Sequence, residues 1–512
     1  MIILGISENM HDAAACVVKN GRILSAIPSE RWTKVKKDAS LPEKVIKHAL
    51  LQAGITLEDI DIVVCATCGH DTDDYTKFKV DEPLFKSRTF TLPGDVQIRG
   101  YYIPHHICHA AAAYYTSNFD ESVTFSLDCC DFNGITGKLL NSLYCHFKGN
   151  KLQKLYYPEC FEGIRYAKVT EYTGFSPCLE RAGTLMGLSS YGKYTQKYSD
   201  LYESLTEYSS IFGRTKEVHK FPTYQDNLKE TMDCAKATQT NFETNVLKYV
   251  KEIREKLGVE NVNNLCLSGG SFLNCNANAK IIKSNEFENV HLYPACGDDG
   301  LVIGATLFWS HHVENLPRHK FTVPELCYTG LRVPKYADIK HKEIAQKLAD
   351  GKIVGLMNGR AEFGPRALGN RSILADPRNQ HVREWINHII KKREWFRPFA
   401  PIVLEEEYQD WFDFPIPSPY MLFTAPVKQP EKIPAVTHVD GSARFQTVTE
   451  ESNYDMYHII KEFKNITGVP VLLNTSLNGK GQPILEDDRD AINFFYKTEI
   501  DMMVVHGKVY ER

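Results

Sequence analysis

One pattern occurs twice in this chain and restricts its fold more than any other feature. Near the N-terminus the sequence reads strand, loop, strand, turn, strand: MIILGIS, ENMHD, AAACVV, KNG and RILSAI. Asn-Gly between two apolar runs is a strong hairpin signal, because both residues tolerate the positive φ that a tight turn needs. From Ser122 onward the pattern returns as SVTFSLD, CCDFNGITG, LLNSLYCHF, KGN and KLQKLYY. In both copies an acidic residue follows a buried strand and precedes a hairpin. The expectation is an internal duplication, visible as architecture rather than as sequence identity.

The rest of the chain fits an α/β protein. LPEKVIKHALLQAGI has helical periodicity with a glycine stop, and DIDIVVCAT reads as a buried strand. FETNVLKYVKEIREKLGV predicts an amphipathic helix, and NNLCLSGGSFLNCNANAKII predicts strand, glycine turn and helix. Residues 315–337 are rich in proline and poor in periodicity, which places a domain boundary there. HKEIAQKLADGKIVGLMNGR then opens a second unit as helix and strand. The predicted domains are 1–335 and 336–512.

Composition excludes several classes. Hydrophobic residues are 43% and charged residues 24% of the 512, the profile of an ordinary globular protein. A formal net charge of -4 does not indicate a nucleic-acid partner. The opening MIILGISENMHD is no signal peptide, and no run of 18 apolar residues is present. The 14 cysteines lack the spacing of a small disulfide scaffold, so reduced thiols in a cytoplasmic protein are expected, with no membrane partner. A homo-oligomer is compatible with all of this.

In the first unit, HHICHAAAAYY puts His105 and His109 four apart, on one helix face, where both can reach one cation. Spacing alone favours a structural reading, since such pairs are common by chance. The sequence after His105 also lacks the Glu of the zinc-protease pattern. Asp128 and Asp298 each follow an apolar strand, where ligands gather. Gly269 and Gly270 stand between a strand and a helix, where bare backbone can approach a phosphate or simply make a tight turn. His11 and Asp12 fall on the first loop, and a histidine there can act as a general base. CATC, Cys65 to Cys68, has no second pair and no following helix, so neither zinc nor redox chemistry is expected of it.

In the second unit, GRAEFGPRALGNRSILADPR clusters Arg360, Arg366, Arg371 and Arg378, and HIIKKREWFRPFAP adds Lys391, Lys392, Arg393 and Arg397. So many cations folded together need an anion, and phosphates are the natural counter-charge. PVLLNTSLNGKGQPI ends a strand with Asn474, Thr475, Ser476 and Asn478, small polar groups suited to oxygen contacts. A phosphate-rich ligand pocket is expected.

Both units together resemble the NodU/TobZ/CmcH family of O-carbamoyltransferases over essentially the whole chain. The matching stretches are HDAAACVVKNGRI, HHICHAAAAYY, LSGGSFLNCNAN, PACGDDG, EFGPRALGNRSILADPR, KKREWFRPFAP and LLNTSLNGKGQPI. The resemblance implies a Kae1-like N-terminal domain of the duplicated actin/Hsp70/sugar-kinase-like fold and a YrdC-like α/β C-terminal domain. It implies that carbamoyl phosphate and ATP, with Mg2+, form carbamoyladenylate in the second domain. The first domain, with a bound divalent metal (Fe2+), then carbamoylates a hydroxyl of a small-molecule acceptor, a sugar or natural product, or a hydroxymethylated nucleobase. Carried over residue by residue, His105, His109, Asp128 and Asp298 hold the metal, and Gly269, Gly270 and Asn274 hold the adenylate. His11 is the base, with Asp12 beside it. Arg366, Lys391, Arg393, Arg397, Asn474, Ser476 and Asn478 bind carbamoyl phosphate and ATP. Thr184 stands where the family commonly has Lys. The rivals are a tRNA threonylcarbamoyl-type transferase and a catalytically silent actin-like nucleotide-binding protein.

Overall fold

The computed structural model describes residues 1–7, 11–67, 87–132, 139–205 and 221–512. Strands β1 (Ile2–Ser7), β2 (Ala14–Lys19), β3 (Arg22–Pro28), β4 (Ile62–Thr67), β5 (Arg88–Leu92) and β6 (Val96–Pro104) form the first sheet, in the order β3-β2-β1-β4-β6-β5. Strands β7 (Glu121–Phe132), β8 (Leu139–Lys148), β9 (Lys151–Tyr156), β10 (Asn264–Ser268) and β11 (Asn289–Leu292) form the second, ordered β11-β10-β7-β8-β9.

The two sheets share one plan. In each, the first strand pairs antiparallel with the second and the second with the third; on its other side the first strand pairs parallel with the fourth (β4, β10), which in turn pairs parallel with β6 or β11. Only the β5 edge hairpin breaks the match. The expected duplication is therefore present as topology. The loop after β7, on which part of the repeat was read, lies outside the described residues.

Helices His105–Thr116 and Leu301–Phe308 pack against each other and join the sheets. Every residue of the first is buried, so it has no polar face to show. Its alanine run, Ala110 to Ala113, allows close approach. Gly304 on the partner helix completes the contact: a Cβ there would stand 1.8 Å from the Cys108 carbonyl oxygen. The predicted helix at residues 242–259 is the second half of a 30-residue helix, Leu228–Leu257, that begins at an Asn227 cap and ends at Gly258.

Strands β12 (Val354–Met357), β13 (Arg371–Ala375), β14 (Ala400–Leu404), β15 (Phe423–Pro426), β16 (Ser442–Val448), β17 (Val471–Ser476), β18 (Met502–Val505) and β19 (Lys508–Glu511) make an eight-stranded mixed sheet. Its order is β15-β16-β14-β17-β13-β12-β18-β19. The proline-rich connection is not a loose linker. Arg318 donates to the carbonyls of Phe119, Tyr114 and Ser117, and the Leu331 amide donates to Glu486 of the second unit. No helix among the described residues is long and apolar enough to cross a membrane, and no described cysteine is in a disulfide.

Candidate active site

The helix His105–Thr116 starts where β6 ends, at Pro104, and projects His105 and His109 toward the ends of β7 and of the chain after β11. Those ends carry Asp128 and Asp298, and all four side chains are buried. His109 Nε2 lies 3.1 Å from His105 Nε2, 3.0 Å from Asp128 Oδ2 and 3.4 Å from Asp298 Oδ1. His105 Nε2 lies 3.5 Å from Asp128 Oδ2 and 3.8 Å from Asp298 Oδ1. A four-coordinate ion with bonds of about 2.1 Å needs donors about 3.4 Å apart, so these edges fit one. Asp298 Oδ1 is buried with no hydrogen-bond partner among the described residues, an orphan that a cation would satisfy. Two imidazoles and two carboxylates suit a divalent first-row metal. Burial works against the Asp128 carboxylate, but hydrogen bonds from His105 and His109 hold it well below its ordinary value. His106, between the pair, is a satisfied core histidine bonded to Ser126 and the Leu140 carbonyl.

His11 stands at the edge of this cluster. Its Nε2 is 3.4 Å from Asp298 Oδ2 and its Nδ1 is 3.0 Å from Asp12 Oδ2. Lys37 Nζ donates to the same Asp12 oxygen at 2.6 Å. The Asp298 charge, outweighing burial and helped by Asp12, raises His11 to about 9. A cation held by Asp298 would offset part of that charge. Asp12 has φ 63°, a left-handed backbone that this loop imposes on a non-glycine residue.

The glycine turn serves packing as well as access. Gly269 has φ 100°, and a Cβ on it would lie 2.1 Å from the Leu127 carbonyl oxygen, so only glycine fits against β7. Gly270 and Asn274 line the cavity, but the Asn274 side chain is already committed. It caps helix Cys275–Lys283 through the Ala277 amide and exchanges two hydrogen bonds with Gln239.

The second unit's cations divide into two sets. Arg366, Lys391, Arg393 and Arg397 line one cavity of about 450 Å³ together with His11, Asp128, Gly270 and Asp298 from the first unit. Arg360, Arg371 and Arg378 do not, which corrects the expectation of a single phosphate-facing cluster. Arg360 donates to carbonyls of Gly330, Leu24 and Thr329; Arg371 is wholly buried on carbonyls that include Asn358 and Leu331; Arg378 pairs with Asp376. The reason is that a folded loop offers many inward carbonyls, and guanidinium is the side chain best able to satisfy several at once. Glu362 organises the same loop by accepting the amides of Leu368, Asn370 and Arg371.

Lys391 and the Ser476–Asn478 stretch, far apart in sequence, meet in the cavity wall. Lys391 Nζ donates to Asn478 Oδ1 at 2.7 Å, to Ser476 Oγ at 3.3 Å, and to the carbonyls of both residues. Burial first, then the charges of Arg393, Arg397 and Lys36, push Lys391 well below its ordinary value. Burial and the adjacent Arg444 push Arg366 down to about 9. Both shifts have one physical meaning: buried positive charge in excess of its partners, which an anion relieves. Asn474 also lines the cavity, its amide bonded to the Ala367 carbonyl and Gln446 Oε1.

Thr184 is buried within helix Cys178–Ser189 while its neighbour Gly183 faces the cavity, so the departure places no new group in the site. Cys65 is buried in β4, and Cys68 lies outside the described residues. Sequence reasoning missed Lys36, Lys37, Arg181 and Arg444, all near or lining the cavity. Lys36 and Lys37 stand in a visible basic run, WTKVKK; Arg444, alone in SARFQTV, carried no signal.

A six-stranded and a five-stranded sheet that share five strands of this order and sense, joined by paired helices, have the duplicated actin/Hsp70/sugar-kinase-like fold. A family model described as Carbamoyltransferase N-terminus matches residues 2–97 and 95–307, and one described as Carbamoyltransferase C-terminus matches 345–512. The chain belongs to the NodU/CmcH family of carbamoyltransferases and is an enzyme of that type. An uncharacterized protein of Synechocystis, sll1178, is 34% identical, covering 99% of this chain and 96% of its own. The nodulation protein NolNO of Sinorhizobium fredii is 31% identical over 97% of this chain and 78% of its own. The 3'-hydroxymethylcephem-O-carbamoyltransferase of Amycolatopsis lactamdurans is 32% identical, covering 66% of each chain.

Proposed function

We propose that this chain is an ATP-dependent O-carbamoyltransferase working in two steps within one cavity. In the first, water converts carbamoyl phosphate to carbamate and inorganic phosphate. A carbamate oxygen then attacks the α-phosphorus of ATP, forming carbamoyladenylate and releasing pyrophosphate. In the second, an acceptor hydroxyl attacks the carbamoyl carbon; the C–O bond to AMP breaks and the hydroxyl proton leaves. The observation that carries this reading is the shared cavity, whose lining includes His11 and the two carboxylates of the His/Asp cluster, Asp128 and Asp298, together with Lys391, Arg393 and Arg397.

Each set has a task. Lys391, fixed by Ser476 and Asn478, and Arg393, held by Asn387 at 2.7 Å, offer fixed charge to phosphate oxygens. Enclosure keeps carbamate and its adenylate from water. His11, oriented through Asp12 by Lys37, takes the acceptor's proton. His105, His109, Asp128 and Asp298 would hold a divalent metal, Fe2+ by family resemblance, which supplies Lewis-acid polarisation. The acceptor is a hydroxyl-bearing small molecule, as the name of the cephem-modifying relative suggests. The second unit's match to the carbamoyltransferase C-terminus argues against a tRNA-modifying role.

The test is pyrophosphate release dependent on carbamoyl phosphate and ATP, followed by mass spectrometry of a hydroxylated acceptor panel. His11→Asn should preserve pyrophosphate release while acceptor carbamoylation falls about 10²–10⁴-fold. Failure of the wild-type protein to release pyrophosphate overturns the reading.

A further inference from the structure

Hydrolysis of carbamoyl phosphate needs a group that takes a proton from water, and the cations of the second unit are unsuited to that task. An ammonium has three N–H bonds, and Lys391 Nζ spends them on Asn478 Oδ1, Ser476 Oγ and the carbonyls of both residues. A guanidinium keeps its protons near neutral pH. Among the described residues that the second unit gives to the cavity, His438 alone has a side chain that titrates near neutrality.

His438 is held by a tight turn. Its amide donates to the Ser442 carbonyl, its carbonyl accepts from the Gly441 amide, and Gly441 has φ 78°. The turn brings Asp440 back beside the ring: Asp440 Oδ1 lies 3.6 Å from His438 Nδ1, an ion-pair distance rather than a hydrogen bond. Asp440 is fixed from both units. Ser442 donates to its Oδ1 from the amide at 3.0 Å and from Oγ at 2.6 Å, and Ser190 Oγ of the first unit donates to Oδ2 at 2.8 Å. Burial works against the Asp440 carboxylate, but the side chains of His438, Ser442 and Ser190 hold it well below its ordinary range. Tyr191 packs edge-on against the His438 ring, with centroids 5.7 Å apart. The residue is nine-tenths buried, and its Nε2 has no hydrogen-bond partner among the described residues. His311 and His506 also carry unpartnered ring nitrogens, but neither lines the cavity. A negative charge beside Nδ1 favours the tautomer with its proton there, which leaves the Nε2 lone pair to accept.

Resting on the two-step reading above, we propose that His438, oriented by Asp440, is the general base of carbamoyl phosphate hydrolysis. The water oxygen bonds to phosphorus as the bond from phosphorus to the carbamoyl oxygen breaks. Carbamate leaves with that electron pair, and the water proton passes to His438 Nε2. The imidazolium then gives the proton to the departing inorganic phosphate. Because Ser190 belongs to the first unit, the orientation of the base depends on both units.

The test separates hydrolysis from adenylation in the full-length protein. With ATP present, wild type should release phosphate from carbamoyl phosphate, and His438→Asn should slow that release about 10²–10⁴-fold. Freshly dissolved ammonium carbamate supplies the product of this step. His438→Asn given carbamate and ATP should therefore still release pyrophosphate, which also reports an intact fold. Asp440→Asn should slow hydrolysis by a smaller factor and be rescued by carbamate in the same way. Loss of pyrophosphate release from both donors in His438→Asn makes the residue structural and overturns the base. Unchanged phosphate release in that variant overturns it while leaving the two-step reading intact. A wild type that releases no pyrophosphate from either donor overturns the two-step reading, and the base with it.

Discussion

The Nε2 atoms of His105 and His109 lie 3.1 Å apart inside a helix that is buried along its whole length. Two imidazole nitrogens this close repel as lone pairs unless a proton or a cation lies between them, and Asp128 Oδ2 at 3.0 Å from His109 supplies the opposing charge. His109→Ala removes the donor that lies nearest the other three. Purified variant protein should therefore retain less than roughly a tenth of wild-type divalent metal, since a site is set by ligand count and geometry. Elemental analysis decides it; full occupancy would make the pair structural.

Lys391 is a second test point, because its ammonium is held by residues 85 and 87 positions away, Ser476 and Asn478. Lys391→Met keeps most of the side-chain volume and removes the charge. Carbamoyl-phosphate-driven pyrophosphate exchange should drop by about 10²-fold or more, the scale for losing one preorganised donor. Thermal unfolding of the same variant should show a folded protein. An unchanged exchange rate would remove Lys391 from the phosphate site.

Arg31 locks the two units together. It is buried in the first unit and donates to the Gly364 carbonyl at 3.0 Å and to Glu486 Oε2 at 3.2 Å, as well as to the Glu362 carbonyl. Arg31→Met leaves Glu486 short of a buried counter-charge, which costs about 3–5 kcal/mol. Denaturant unfolding checks the loss. Activity should fall with it, because the contacted loop carries Arg366.

Asp455 gives a pH-dependent test. Burial would raise its pKa, but His341, Lys335 and Asn358 bond to it and hold it below the ordinary 3.8. A depressed folded pKa means the stabilisation is present above the unfolded value and is lost as pH falls through the folded one. Asp455→Asn should cost about 1–3 kcal/mol at neutral pH, in the range for breaking a buried charged hydrogen-bond group. The gap from wild type should narrow in denaturant titrations as pH falls through the depressed folded pKa of Asp455, because the carboxylate is then protonated in both states. A gap that persists there would mean the loss is one of shape rather than charge.

The duplication and the HxxxH pair were legible in the sequence for local reasons. Asn-Gly between apolar runs specifies a hairpin within a few residues, and i,i+4 spacing places two side chains on one helix face whatever the rest of the chain does. The helix at Leu228–Leu257 was only half legible, because Asn227 and the residues after it show their capping role through a single side-chain bond to the Glu230 amide.

Which cations face the ligand was decided only by tertiary structure. Arg360, Arg366, Arg371 and Arg378 share one glycine-punctuated segment and look equivalent in sequence. In the fold, Arg360 turns to the Leu24 carbonyl, Arg371 to the Leu331 carbonyl, Arg378 to Asp376, and Arg366 to the cavity. Arg444 reaches the same cavity from an isolated position in β16. A run of arginines states how much charge a segment carries. The direction of each guanidinium depends on which carbonyls and carboxylates distant parts of the chain bring beside it, and long-range packing alone sets those partners.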